Sequence, residues 1–120
     1  MKKFLIMLLI VSCGQEMPVV ENVEKGTFKA LMQNEYPLID VRTPQEYDEG
    51  HIEKASNIDF NAPDFNERIS KLDKEQPFLI YCAAGGRSAK AAALMVTSRD
   101  RVRFRSSPSR RVWTLSTMRR

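Results

Sequence analysis

The chain is poor in several residue types, and each scarcity narrows its reading. It has two cysteines, one histidine and one tryptophan in 120 residues, and its longest apolar run is the eight residues Phe4 to Val11. A run that short cannot cross a bilayer as a helix, so no spanning segment of that kind is expected. The length allows one domain at most. No internal repeat is found, and no low-complexity segment occurs outside the last 22 residues, which excludes a repeat array.

What is present starts with the N-terminus. Lys2 and Lys3 precede the apolar run, the layout of a signal peptide over residues 1–12. Ile10-Val11-Ser12-Cys13 resembles a bacterial lipobox, which implies a diacylglyceryl group on Cys13 as the first mature residue, followed by a linker over residues 13–18. The expectation is an exported, lipid-anchored protein of the cell envelope, held at the membrane through Cys13. A lipidated Cys13 has no thiol to pair, so Cys82 is the sole free thiol rather than half of a disulfide. A lone thiol in an exported protein signals reactivity, because that compartment favours disulfides.

The formal charge of +4 hides a division. Residues 1–98 carry 8 Lys and 3 Arg against 14 acidic residues, a net of −3, whereas residues 99–120 carry 8 Arg and 1 Asp, a net of +7, with no Lys, Glu or Gly. Clustered arginine suits nucleic acid or anionic lipid. An exported protein meets little nucleic acid, so none is expected as a partner. The stretch is read as a basic, disordered tail or, by preference, as sequence out of frame, since the basic residue changes from mainly Lys to wholly Arg at one point. Val102, Phe104 and Trp113 give only a broken strand pattern.

Between Val19 and Ser98 short β-type runs alternate with amphipathic stretches, the pattern of an α/β fold with a parallel sheet flanked by helices. Val19 to Val23 is a candidate edge strand, Thr27 to Met32 a helix, and Pro37 to Val41 a buried strand. Thr43, Pro44 and Glu46 form a capping-box signature for the next helix, which Gly50 closes. Ala55 to Phe60 reads as a weak strand, Pro63 to Leu72 as a helix with Phe65, Ile69 and Leu72 inward, and Pro77 to Tyr81 as a second buried strand. Ser88 to Thr97 is an alanine-rich helix that Ser88 is placed to cap.

Cys82 thus stands where a buried strand gives way to a loop and a helix start. There the sulfur faces backbone N–H groups that no helix carbonyl satisfies, a setting that favours an anion. Gly85 and Gly86 permit positive φ, Ala83 and Ala84 leave the rim open, and Arg87 adds a cation. A free thiol with a pKa of about 8.5 is only about 3% thiolate at pH 7; such a setting commonly brings it to between about 3.5 and 7.5. A buried structural cysteine is the ordinary fate of the residue type, but the alanine and glycine loop has an anion-binding rationale and no packing one.

These residues resemble the rhodanese homology family. Asp40-Val41-Arg42-Thr43-Pro44, Glu46-Tyr47, Gly50-His51-Ile52, Ala55 and Asn57-Ile58 are similar to that family's signatures in order and spacing, and Tyr81-Cys82 with Gly86-Arg87-Ser88 completes the match from about Val20 to Ser98. The resemblance implies a sulfurtransferase in which Cys82 takes a sulfane sulfur as a persulfide and passes it to a thiol or cyanide acceptor. The amides of residues 83 to 87 would hold the charged sulfur, and Ala83, Ala84, Gly85, Gly86, Arg87 and Ser88 would form the substrate-binding loop. Arg87 would draw anionic donors such as thiosulfate. Asp40 and Arg42 would brace the loop, with Glu46 a candidate partner of Arg42. No metal or cofactor is implied, and the domain is read as a monomer. His51 falls in the family's turn motif and is read as structural rather than as a base.

Two other functions compete. Related cysteine phosphatases also close the loop with arginine, but they fit one residue more than the four between Cys82 and Arg87. Non-catalytic members that serve as binding modules often lack the cysteine. The family continues beyond Ser98 with a further strand and a final helix whose patterns are absent here, so the domain over residues 19–98 is expected to lack its last strand and helix and to lose stability or activity.

Overall fold

The computed structural model describes residues 19–73, 76–100 and 111–115. Residues 1–18, where a signal peptide, a lipidated Cys13 and a linker are expected, lie outside the described residues. The elements follow in the order β1 (Val19–Val23), α1 (Lys25–Leu31), β2 (Leu38–Asp40), α2 (Pro44–Glu49), β3 (Ser56–Asn57), α3 (Phe65–Ser70), β4 (Phe78–Tyr81), α4 (Gly86–Asp100) and β5 (Arg111–Leu115). All strand pairs are parallel, and the sheet order is β1-β5-β4-β2-β3.

Helix starts and stops obey local chemistry. A 3-10 turn at Met32–Asn34 continues α1 and ends at Glu35, which adopts the left-handed conformation with φ of 57°. The capping box of α2 is complete: the Thr43 hydroxyl accepts from Glu46 N, the Glu46 carboxylate accepts from Thr43 N at 2.9 Å, and Pro44 occupies the first turn.

The sheet is covered on both faces. Side chains alternate along β4, so that Phe78, Ile80 and Cys82 join one core and Leu79 and Tyr81 the other. Ala91, Ala92 and Met95 of α4, with Phe65 and Ile69 of α3, cover the first; Phe28 of α1, Trp113 and Leu115 help to fill the second. Strands buried on both sides read as continuous apolar runs, which is why Phe78 to Tyr81 stood out in the sequence.

The C-terminal stretch requires a correction. The expected loss of the last strand does not hold, because β5 enters the sheet between β1 and β4, pairing Val20 with Val112 and Phe78 with Val112 in register. Residues 111–115 are therefore not a disordered tail: Val112, Trp113, Thr114 and Leu115 are buried, and without them β1 would part from β4 and leave an open edge. Arginine-rich flanks and the broken pattern of Val102, Phe104 and Trp113 hid this strand from a reading based on alternation. Among the described residues α4 is the last helix.

Candidate active site

The end of β4 delivers Cys82 to the turn that opens α4. The residue is buried, at 1% exposure, while Ala83 and Ala84 beside it are exposed. Gly85 N donates to Cys82 Sγ at 3.1 Å and Ser88 N at 3.4 Å, and the Ser88 hydroxyl lies 3.4 Å from the same sulfur. Burial pushes the thiol up, but the hydroxyl and amide of Ser88 and the amides of Ala84 and Gly85 outweigh it, and the net position is below the ordinary thiol value. Cys82 is the free cysteine among the described residues.

Several expectations about this loop are refined. Gly85 has φ of 86°, which only glycine adopts at little cost; Gly86 lies in the helix, and a Cβ there would meet nothing within 4 Å, so it needs no glycine. Ser88 does not cap α4, which begins at Gly86. It sits inside the first turn, fully buried, and its hydroxyl donates to the Gly85 carbonyl at 3.1 Å. Its amide joins those of Ala84 and Gly85 at the sulfur.

Asp40 and Arg42 meet as predicted but reach the loop indirectly. The Asp40 carboxylate is fully buried and accepts from Arg42 N at 2.9 Å, Nε at 3.0 and 3.1 Å, and Nη2 at 2.7 Å. Arg42 Nη2 also donates to the Gly50 carbonyl at 2.7 Å, and the guanidinium sits 5.6 Å above the Tyr81 ring. Tyr81, whose hydroxyl accepts from Ile52 N at 3.0 Å, is pushed up to about 12, chiefly by burial. The Asn57 amide ties the Asp40 and Arg42 carbonyls together at 3.1 and 2.9 Å. The pair thus braces the residue before Cys82, and the hydroxyl of Tyr81 and the amide of Asn57 are parts of this frame that sequence reading passed over.

Glu46 is not the partner of Arg42. Its carboxylate forms a two-pronged ion pair with Arg87, Nη1 to Oε2 at 2.7 Å and Nη2 to Oε1 at 2.9 Å, and hydrogen bonds from Arg87 and from Thr43 bring it down to about 2. Arg42 is engaged through Nε and Nη2 by Asp40 and Gly50, and Glu46 pairs with the loop cation instead. The two are 41 residues apart. No local pattern links residues that far apart in the chain. His51 stacks on Tyr47 at 3.6 Å between ring centroids and its Nδ1 meets the Tyr47 carbonyl at 2.9 Å, an arrangement that ties it to the end of α2. Among the described residues no group of three or more His, Cys, Asp or Glu could hold a metal ion.

The geometry agrees with comparisons to known proteins. Residues 24–107 match the Rhodanese-like domain family, beyond the point near Ser98 where the sequence signatures fade. Thiosulfate sulfurtransferase 18 of Arabidopsis thaliana is 31% identical over 100 residues, covering 73% of this chain and 74% of that protein. Protein HIGH ARSENIC CONTENT 1, mitochondrial, of the same plant is 30% identical over 82 residues, 60% of this chain and 48% of that protein, so the chain spans about half of that relative's length. A rhodanese-related protein from Thermoplasma volcanium superposes with a TM-score of 0.63 at 20% identity, covering 82% of this chain and 86% of the other, a likeness of fold. A parallel sheet of this order, a cysteine at the end of its central strand and these matches together establish that the chain belongs to the rhodanese-like domain family.

Proposed function

We propose that this domain is a sulfurtransferase that carries a sulfane sulfur as a persulfide on Cys82. The observation that carries the reading is the convergence of Gly85 N, Ser88 N and the Ser88 hydroxyl on one buried sulfur at the start of α4, with a thiol below its ordinary value. Amides at a helix start stabilise negative charge, so the thiolate forms without a partnering base.

The chemistry has two steps. The Cys82 thiolate attacks the sulfane sulfur of a donor such as thiosulfate; a sulfur–sulfur bond forms to Sγ, the bond to the sulfonate sulfur breaks, and its electron pair leaves with sulfite. A thiolate or cyanide acceptor then attacks the outer sulfur of the persulfide, and the electron pair of the breaking bond restores the Cys82 thiolate. Charge balances in each step, and no proton transfer to the sulfur is needed. The thiolate is both nucleophile and leaving group, so the donors that lower its basicity serve the second step directly.

Intact-mass measurement after incubation with thiosulfate or a small persulfide tests the reading. The full chain gains one sulfur atom on the peptide containing Cys82, and Cys82→Ser gains none there. No adduct with any sulfane donor, together with turnover of an aryl phosphate, would replace this function with phosphatase chemistry.

A further inference from the structure

Arg87 occupies the position from which a loop cation would meet an incoming anion, yet its charge is already engaged. Both terminal nitrogens are taken by Glu46. The carboxylate is itself fixed, since Glu46 Oε2 also accepts from Thr43 N at 2.9 Å and from the Thr43 hydroxyl at 3.0 Å. An exposed ion pair between two long side chains would open readily. This one is held at the first turn of α2 by three hydrogen-bonding groups, with side chains only 27% and 33% exposed. Asp59 adds a second negative charge within electrostatic range of Arg87, and Cys82 lies within that range too. The rest of the rim, Ala83 and Ala84, carries no charge. An incoming donor therefore meets amides and a neutralised arginine.

We propose that Glu46 is a specificity-determining residue of this loop: by taking up the charge of Arg87 it turns the site away from dianionic thiosulfate and toward persulfides borne on uncharged thiols. The inference rests on the sulfurtransferase reading and names its donor class. Carboxylate removal would expose one unit of positive charge beside the sulfur and favour the donor with the extra unit of negative charge.

The test is Glu46→Gln in the full chain. Glutamine keeps the capping box, because its carbonyl still accepts from Thr43 N, and a melt confirms that the variant is folded. The ratio of kcat/KM for thiosulfate to kcat/KM for the persulfide of 2-mercaptoethanol is expected to rise about five-fold at low ionic strength, the scale of one unit charge acting at a partly solvated site. The rise should shrink in added salt and vanish in Glu46→Gln/Arg87→Met. A second readout needs no sulfur transfer: the rates at which iodoacetate and iodoacetamide alkylate the Cys82 peptide should shift toward the anionic reagent in Glu46→Gln by a similar factor. Equal changes for both donors and both reagents would overturn the proposal. If the unaltered chain takes sulfur from neither donor, the transferase reading falls, and an unchanged alkylation ratio would then sink the masking of Arg87 separately.

Discussion

Replacing Trp113 by alanine is the sharpest test of the strand formed by residues 111–115. Trp113 is 7% exposed, stacks on Tyr36 with ring centroids 5.4 Å apart, and donates from Nε1 to Glu21 at 3.2 Å. It lies opposite Glu21 on one side and Leu79 on the other, so its backbone joins β1 to β4. A buried aromatic side chain covers about 150–250 Å², and at about 25 cal/mol per Å² its transfer is worth roughly 4–6 kcal/mol. Measured truncations of buried tryptophan cost about 3–5 kcal/mol. Against a total of about 5–15 kcal/mol for a domain, the substitution should remove much of the stability. Urea unfolding followed by far-ultraviolet circular dichroism is the assay, since Trp113 is the sole tryptophan and its own signal is lost. With a slope near 1.5 kcal/mol per M, the midpoint should fall by about 2–3 M. Trp113→Phe keeps most of the buried ring and should lose only about 1 kcal/mol, which keeps the reasoning testable if the alanine variant does not fold. In the unaltered chain the indole should emit at short wavelength and resist quenching by acrylamide. A loss below about 0.5 kcal/mol in Trp113→Ala would refute the placement, because it is the cost of a change on a solvated surface.

Two further outcomes follow from the site. Ser88→Ala removes a hydroxyl that lowers the Cys82 thiol. The alkylation rate of Cys82, which rises with pH as the thiolate forms, should therefore have its midpoint moved upward and should fall at pH values below both midpoints; an unmoved midpoint would remove Ser88 from the account. Asp40→Ala strands the Arg42 guanidinium, whose side chain is only 13% exposed, and should cost about 3 kcal/mol in urea unfolding. Asp40→Leu combined with Arg42→Met should cost less than Asp40→Ala alone, and the opposite order would show that the pair itself, rather than an uncompensated charge, sets the loss.

Much of the domain was legible before any coordinates because its signals are short in range. The capping box joins Thr43 to Glu46 three residues away, and the apolar run of β4 ends at Cys82 whichever way the sheet is assembled. Positive φ at Gly85 follows from the demand of a tight turn at a helix start, although the same argument overreached at Gly86, whose helical backbone needs no glycine. The pairing of Asp40 with Arg42 was implied by the family resemblance rather than by local pattern.

The amino-acid sequence by itself determined the α/β class, the position of Cys82 at a strand-to-helix turn, and the anion-favouring loop around it, since all three depend on periodicities and caps that operate within a few residues. Only the tertiary structure decided that Val112 to Leu115 form an interior strand and that Glu46 holds Arg87. Both outcomes are choices among partners far away in the chain. A strand set among arginines does not announce itself by pattern and acquires its worth from being buried between β1 and β4. Glu46 reaches its cation because the packed sheet sets the first turn of α2 against the loop before α4, while Arg42 is engaged by Asp40 and Gly50.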